Sequence, residues 1–237
     1  MGPKGCSYHS CVTRTPPVIA LLLALGAATF EPPPAAAWTE FLSMDVLPEN
    51  SGWIPIFDGG GSSVVSGGIL TLAASSYREY RAPASWINTV SIATGYTIEF
   101  RMRLVTSHPD CQGIGVWFFD NTWLTTLYVN PDHIWISYPF FGGNPPRAPV
   151  NGYDWHTYTI MVQGTHHRVF IDGAPALDYV HPGEGSGTRV LNFGDMAGSC
   201  TSSQSDWDYF AYDTAPQPVA AAPTTWGRLK TLYRAER

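Results

Sequence analysis

The stretch WHTYTIMVQGTHHRVFIDG at residues 155–173 decides the fold class, because its apolar residues recur at every second position on both sides of a turn. Gly164 and Thr165 supply the turn, and the pair Asp172-Gly173 ends the second half. Successive side chains of a strand point to opposite faces, so one face of this segment is apolar. The residues predicted to share that face are Tyr158, Ile160, Val162, Val169 and Ile171. The stretch therefore predicts an antiparallel β-hairpin with one buried face.

The same alternation recurs through the body of the chain. Residues 96–104 place Tyr, Ile, Phe, Met and Leu at even positions, and residues 114–119 repeat the pattern. The 237 residues include 23 glycines and 20 prolines, with 14% aromatic and only 14% charged residues, which favours short strands joined by turns over long helices. We predict an all-β chain with about ten or more strands, folded as one antiparallel β-sandwich of the jelly-roll kind.

The N-terminal segment predicts export. Lys4 and Arg14 precede an apolar run of eleven residues at 18–28, and small residues end at Ala37. This order is typical of a signal peptide over residues 1–37, and the run is shorter than the roughly 20 residues that span a bilayer. We expect a bacterial protein that is secreted or held at the cell surface, with no membrane span in the mature chain. An uncleaved anchor is the alternative.

Composition also divides the rest of the chain. The predicted sandwich covers residues 38–213, a Pro/Ala linker covers 214–223, and a short basic tail covers 224–237. Residues 225–234, TWGRLKTLYR, look like short terminal segments of some secreted bacterial proteins, which implies a role in sorting or surface attachment. The alternative is a basic end without a function of its own.

Charge and cysteine content narrow the partners and the compartment. Residues 38–215 hold seven arginines, no lysine and seventeen acidic residues, a net charge of −10. Such a surface repels phosphate backbones, which excludes nucleic acid as a favoured partner. Cys111 and Cys200 are the two cysteines outside the predicted signal, and an even pair in an exported chain predicts a disulfide. Two free thiols are the alternative.

Three stretches together resemble the concanavalin A-like jelly rolls of the laminin-G-type lectin and glucanase superfamily. They are the hairpin at 155–173, SGGILTL at 66–72 and DWDYFAY at 206–212, in the order and spacing of that superfamily across residues 45 to 213. The resemblance implies the jelly-roll fold and a ligand on the concave face of one sheet. It does not by itself imply one activity.

A carbohydrate-binding face is the leading functional hypothesis. Aromatic side chains suit the apolar faces of sugars, and Arg and His can hydrogen-bond sugar hydroxyls. By alternation, the candidates that point away from the core are Trp117, Tyr128, His133, Trp135, Arg101 and Arg103. We expect a non-catalytic, lectin-like module that binds a glycan or polysaccharide. The alternative is that the two tryptophans are simply core residues.

Two other classes of function stay open. Glucanases of the superfamily use a strand motif E-x-D-x-x-E, but the nearest strand here reads Glu-Phe-Arg-Met-Arg at 99–103, with one carboxylate and two arginines. A divergent glycan-acting hydrolase or lyase on the same fold would use Glu99, tuned by Arg101. A surface or adhesion module that binds protein is the third possibility.

No cofactor is expected to be required, although the resemblance implies one metal position. Members of the superfamily often hold a structural calcium ion at positions that match the Gly68 carbonyl and Asp208 here. Calcium takes six to eight oxygen ligands, so further carbonyls and waters would have to complete the shell. The alternative is that Asp208 only hydrogen-bonds a neighbouring loop.

Overall fold

A period of two between buried and exposed side chains runs through most of the chain and produces fifteen strands in the residues that the structure describes. The structure is a computed structural model. It describes residues 38–58, 60–75, 77–88, 94–107, 114–119, 124–137, 145–181, 189–195 and 203–214. Contacts divide the chain into the units Met1–Pro34 and Ala35–Arg237, and every described residue belongs to the second.

Several predictions made from the sequence fall outside this part of the chain. The predicted signal at 1–37, the tail at 224–237 and all of the linker except Thr214 lie there, as do Cys111 and Cys200. The signal, the tail and the disulfide therefore stay predictions.

The strands are short, and two brief helical turns lie between them. The strands are β1 (Glu40–Ser43), β2 (Ile54–Asp58), β3 (Gly61–Ser66), β4 (Ile69–Ala74), β5 (Tyr77–Arg81), β6 (Tyr96–Thr106), β7 (Ile114–Phe119), β8 (Leu124–Val129), β9 (His133–Ser137), β10 (Arg147–Pro149), β11 (His156–Gln163), β12 (His166–Ile171), β13 (Ala174–Val180), β14 (Val190–Asp195) and β15 (Ser203–Asp213). A 3₁₀ helix covers Pro48–Ser51 and helix α1 covers Ala84–Ile87. Within the described ranges, none of the helices has the length and apolar character that a membrane span requires.

The strands form two antiparallel sheets. The eight-stranded sheet has the order β13-β12-β11-β6-β15-β4-β3, and β1 also pairs with β15. The seven-stranded sheet has the order β10-β9-β8-β7-β14-β5-β2. The predicted all-β antiparallel sandwich is thus confirmed, with more strands than the ten that could be recognised in the sequence.

The core lies between the two sheets. Along β6, Ile98 and Phe100 are buried and point inward, while the intervening Glu99 and Arg101 are only partly covered. Trp53 fills the centre of the core and packs edge-on against Phe193 and Phe210, with ring centroids 5.1 and 5.4 Å away. Because the inward faces of both sheets pack on this core, their outer faces lie on opposite sides of the sandwich.

The predicted hairpin forms, and residues predicted to share its apolar face lie opposite each other. Tyr158 lies opposite Ile171, and Ile160 lies opposite Val169. Asp172 and Gly173 have φ angles of 51° and 80°, the left-handed pair that a tight turn between β12 and β13 requires. The Asp172 carboxylate accepts a hydrogen bond from the Thr157 backbone N–H at 2.9 Å, which ties this turn back to β11.

Candidate functional site

The structure divides the predicted glycan-binding residues between the two outer faces. Trp117, Tyr128, His133 and Trp135 lie on β7, β8 and β9 of the seven-stranded sheet. Arg101 and Arg103 lie on β6 of the eight-stranded sheet, on the other side of the sandwich. The six residues therefore do not form one site, because alternation shows which residues point outward but not which sheet carries them.

The outer surface of the seven-stranded sheet carries the aromatic candidates, and we call it the aromatic face. Register places two rows of outward side chains across it. The first row consists of Arg81, Asn192, Trp117 and Thr126. The second consists of Ile56, Glu79, Gly194, Gly115, Tyr128, Trp135 and Arg147. From β5 to β10 the second row crosses five strand spacings, or about 24 Å.

Two adjacent glycines interrupt the second row between Glu79 and Tyr128. Gly115 and Gly194 pair directly across β7 and β14 and add no side chain to the surface. A Cβ on Gly115 would lie 1.9 Å from the backbone oxygen of Leu127, so the strands approach too closely there for any other residue. The middle of the aromatic face is therefore a strip of backbone without side chains, in which both glycines are buried, with polar and aromatic side chains on either side.

The aromatic side of the strip is a pair of rings in tilted contact. The rings of Tyr128 and Trp135 lie 4.9 Å apart at 31°, and the Arg147 guanidinium lies 5.8 Å from the Trp135 ring. Trp135 is 7% exposed, whereas Trp117 and Tyr128 are half-buried. The indole Nε1 atoms of Trp117 and Trp135 are buried with no hydrogen-bond acceptor among the described residues. These donors lack the partner that a buried indole N–H normally has.

His133 lies at the margin of the aromatic face, at the start of β9. Its Nδ1 is 2.6 Å from an Asp132 carboxylate oxygen. This contact lowers the pKa of the Asp132 carboxyl, since the hydrogen bond favours the charged form. His133 thus contacts the exposed Asp132 and lies two residues before Trp135 in the sequence.

Glu79 forms a buried polar centre on the other side of the strip. It is 0% exposed, as is Asn192 on the adjacent strand. The Tyr77 hydroxyl donates to Glu79 Oε1 at 2.6 Å, and Asn192 Nδ2 donates to the same oxygen at 2.8 Å. The second oxygen, Oε2, is buried without a partner among the described residues. Burial raises the pKa of the Glu79 carboxyl, and its hydrogen bonds and Arg81 offset part of that rise.

The tyrosines around Glu79 keep their protons. Burial, followed by the hydrogen bond to Glu79, raises the pKa of Tyr77. Burial also raises the pKa of Tyr128, with smaller contributions from the charges of Asp195 and Glu79. Both phenols therefore act as neutral hydrogen-bonding groups at neutral pH, which suits recognition of hydroxyl groups.

Sequence reasoning missed Tyr77, Glu79, Arg81 and Asn192. Residues 77–81 read YREYR, and this charged stretch has too few apolar residues to stand out as a strand. Its period of two was nevertheless a usable signal, because Tyr77, Glu79 and Arg81 share one face of β5. Asn192 carries no such signal, since it reaches Glu79 only through pairing between β14 and β5.

On the opposite outer face, which we call the arginine face, Arg101 and Arg103 form ion pairs. Arg101 Nη1 lies 2.9 Å from Asp208 Oδ2, and Arg103 Nη2 lies 2.8 Å from Asp206 Oδ2. Both guanidinium groups also stack on Trp155, at 4.8 and 5.1 Å from its ring centre. These contacts hold β6, β15 and the entry to β11 together.

Glu99, the predicted acid or base of the enzyme hypothesis, lies on the arginine face. The Thr159 hydroxyl donates to Glu99 Oε2 and the Tyr209 hydroxyl donates to Oε1, both at 2.9 Å. Burial raises the pKa of the Glu99 carboxyl, and the two hydrogen bonds offset part of the rise. Its predicted partner Arg101 is paired with Asp208 instead.

The residues that match the calcium position have other contacts. Asp208 accepts a hydrogen bond from Arg101, so a guanidinium already supplies positive charge at this carboxylate. Among the described residues, no group of three or more His, Cys, Asp or Glu side chains could hold a metal ion. Gly68 and Asp208 thus give little of the oxygen shell that calcium requires, and calcium there stays a prediction.

Comparison with known proteins supports the fold and leaves the function open. No protein-family model and no curated protein matches the chain. The binding domain of botulinum neurotoxin serotype G superposes with a TM-score of 0.54 at 9% identity, over 84% of this chain and 51% of that chain. A carbohydrate esterase from the Shiga toxin-encoding bacteriophage phi24B gives 0.53 at 15% identity, over 74% of this chain and 97% of that one.

A botulinum neurotoxin type C structure gives a TM-score of 0.50 at 9% identity, over 78% of this chain and 47% of the neurotoxin chain. This chain therefore spans about half the length of the neurotoxin chains. These neighbours are jelly-roll β-sandwich proteins, as this chain is expected to be. At such low identity the likeness concerns the fold alone.

Proposed function

We propose that this protein is a non-catalytic glycan-binding module whose ligand lies on the aromatic face. The observation that carries the proposal is the arrangement there of Trp117, Tyr128 and Trp135 beside the buried polar centre at Glu79. Sugars present apolar C–H faces and hydroxyl edges, so a sugar site combines aromatic surface with a few fixed polar groups.

The arginine face supports this choice by contrast. Arg101 and Arg103 there are paired with carboxylates and stacked on Trp155, and both oxygens of Glu99 accept hydrogen bonds. On the aromatic face, two indole N–H groups and one carboxylate oxygen have no partner among the described residues. Buried polar atoms are normally hydrogen-bonded, so atoms of this kind favour the face where a ligand binds.

The structural neighbours add support at the level of the fold only. The neurotoxin type C structure bears on cell entry through interaction with two ganglioside molecules, and the bacteriophage protein is a carbohydrate esterase. Both neighbours therefore have a connection with carbohydrates. The proposal for this chain rests on its own aromatic face.

A glycan-array screen of residues 38–214, followed by calorimetric titration of the strongest oligosaccharide, tests the proposal. Trp117→Ala and Tyr128→Ala are expected to weaken binding at least tenfold, because each removes an aromatic contact of the aromatic face. Trp155→Ala is the matched control, since it removes an aromatic side chain from the arginine face. Circular dichroism establishes that each variant remains folded.

Equal loss of binding in folded Trp117→Ala and Trp155→Ala proteins would contradict the placement of the site. An array on which no glycan shows saturable binding would contradict the glycan-binding function and favour a protein-binding surface.

We also propose that the protein works outside the cytoplasm of a bacterium, as a secreted or surface-attached module. The support is that residues 1–37 contain basic residues, then an apolar run and then small residues, in the order of a signal peptide. N-terminal sequencing of the exported protein tests this, with a start near Trp38 expected. An intact Met1 on protein recovered from the cytoplasm would contradict it.

A further inference from the structure

Four side chains of the aromatic face form one hydrogen-bonded chain, which we call the Glu79 chain. Tyr77 and Asn192 both donate to Glu79 Oε1, at 2.6 and 2.8 Å. At its other end, Asn192 Oδ1 accepts from Arg81 Nε at 3.4 Å, which is long for a hydrogen bond. Glu79 and Asn192 are fully buried, Tyr77 is half-buried and Arg81 is exposed. Two buried polar groups thus hold two side chains that reach the surface.

This arrangement fixes which hydrogen-bonding groups a ligand meets. Since the Tyr77 hydroxyl hydrogen is donated to Glu79, the Tyr77 oxygen keeps only its acceptor capacity for a further partner. Since Arg81 turns Nε toward Asn192, its terminal Nη groups remain as donors. A sugar hydroxyl both donates and accepts, so it can satisfy an acceptor and a donor of this kind.

The charges on this face are balanced within the protein. Arg81 and Glu79 lie two residues apart on one face of β5 and are linked through Asn192, and the charge of Arg81 lowers the pKa of the Glu79 carboxyl. Arg147, at the far end of the second row, interacts in the same way with Asp132, which also pairs with His133. Each of the two exposed arginines in the described part of this face therefore has an acidic residue nearby. The net charge of −10 over residues 38–215 adds a repulsive field for anions.

We infer that Glu79 is a specificity-determining residue that neutralises Arg81 and so selects uncharged sugars over acidic ones, an inference that rests on the proposed glycan-binding function. Burying a carboxylate costs folding free energy that hydrogen bonds only partly offset, and hydrophobic packing often serves stability as well or better, so a buried carboxylate here points to a role other than stability. The role assigned here is to hold Tyr77 and Asn192 and to cancel the charge of Arg81. A sugar carboxylate would gain little from Arg81 while Glu79 stays in place.

The substitution Glu79→Gln separates this role from a structural one. Glutamine has nearly the same shape and keeps an oxygen that accepts from Tyr77, but it leaves Arg81 without its counter-charge. We expect affinity for neutral sugars to fall up to tenfold and affinity for acidic sugars to rise, so the preference for neutral sugars shrinks by tenfold or more. Adding Arg81→Gln to Glu79→Gln should remove the gain for acidic sugars.

Glu99→Gln is the matched control. Glu99 is also a carboxylate held by a tyrosine and a second hydrogen-bond donor, but it is half-buried and lies on the arginine face. Its replacement changes the net charge of the protein by the same amount. It should therefore leave the preference between neutral and acidic sugars unchanged.

The experiment is calorimetric titration of the wild type and the three variants with defined hexasaccharides. The neutral probes are hexamers of glucose, mannose and xylose, and the acidic probes are hexamers of galacturonic and mannuronic acid. The inference expects the wild type to bind a neutral hexamer at least tenfold more tightly than either acidic one, and Glu79→Gln but not Glu99→Gln to narrow that preference. Thermal melts confirm that each variant is folded.

Tighter binding of an acidic hexamer by the wild type would overturn the inference, as would an equal change of preference in Glu79→Gln and Glu99→Gln. If Glu79→Gln does not fold, the single variant Arg81→Gln decides. The inference expects this variant to bind acidic sugars as weakly as the wild type does. A clear loss of acidic-sugar affinity in Arg81→Gln would show that Arg81 is not neutralised in the wild type and would overturn the inference. Failure of every hexamer to bind would instead contradict the glycan-binding function itself.

Discussion

His167 should make the protein lose stability on acidification. Its side chain is 0% exposed, its Nδ1 lies 3.2 Å from the Tyr179 hydroxyl, and its Nε2 is buried without a partner among the described residues. Burial, followed by the nearby His181 and His166, lowers the pKa of His167 to about 3. The unfolded chain holds this imidazole in water, where its pKa is about 6.5.

The loss of folding stability at low pH follows from proton binding. Because the folded pKa lies below the unfolded one, the unfolded chain takes up more protons as the pH falls. The buried neutral His167 therefore costs no folding free energy above about pH 6.5 and lowers the stability below it. Each pH unit between the two pKa values costs about 1.4 kcal/mol, so His167 removes about 2 kcal/mol of folding free energy at about pH 5. Glu79 and Glu99 act in the opposite direction, since their raised pKa values favour the fold at lower pH.

Comparison with a variant isolates the histidine from these carboxyls. Urea unfolding followed by tryptophan fluorescence should be run on the wild type and on His167→Phe from about pH 7.5 to about pH 5. The unfolding free energy of the wild type should fall by about 2 kcal/mol relative to the variant over that range. The exposed neighbour His166 provides the control His166→Gln, which should follow the wild type. Parallel pH curves for the wild type and His167→Phe would refute the reasoning.

Three further changes have defined outcomes. Gly115→Ala should destabilise the fold by more than about 3 kcal/mol, because its Cβ would meet the Leu127 backbone oxygen. In the same denaturation assay the control Gly67→Ala, at φ +57° with open space around its Cβ, should cost only about 1 kcal/mol. Arg103→Gln should cost about 1 kcal/mol, since Arg103 is 41% exposed while its partner Asp206 is 9% exposed, and combining it with Asp206→Asn should recover part of the loss. EDTA should leave the melting temperature of the protein unchanged, because Arg101 already pairs with Asp208. A rise of the melting temperature on addition of calcium that Asp208→Asn abolishes would establish the calcium site instead.

The sequence predicts the parts of the fold that depend on local alternation. The hairpin of β11 and β12 and the buried side of β6 could be assigned because inward and outward residues differ sharply in polarity. The tight turn at Asp172 and Gly173 could be assigned because few residue pairs adopt two left-handed conformations in succession.

The candidate site could be predicted only in part, because it depends on pairing between distant strands. Nothing local places Arg101 and Trp117 on different sheets, since β6 pairs with β11 and β15 whereas β7 pairs with β8 and β14. The polar centre depends on a hydrogen bond between Glu79 and Asn192, which are 113 residues apart in the chain. Contacts of that separation follow from the whole sheet order and not from any short stretch of sequence.

The position of the glycan is tested most directly by the indole N–H signals of the tryptophans. Spectra of protein with ¹⁵N-labelled tryptophan, assigned by single Trp→Phe changes, should be recorded during titration with the strongest oligosaccharide from the array. The proposal predicts that the Nε1–H signals of Trp117 and Trp135 move while that of Trp155 stays in place, because Trp155 lies on the arginine face. Movement of Trp155 with Trp117 and Trp135 unchanged would contradict a ligand site on the aromatic face.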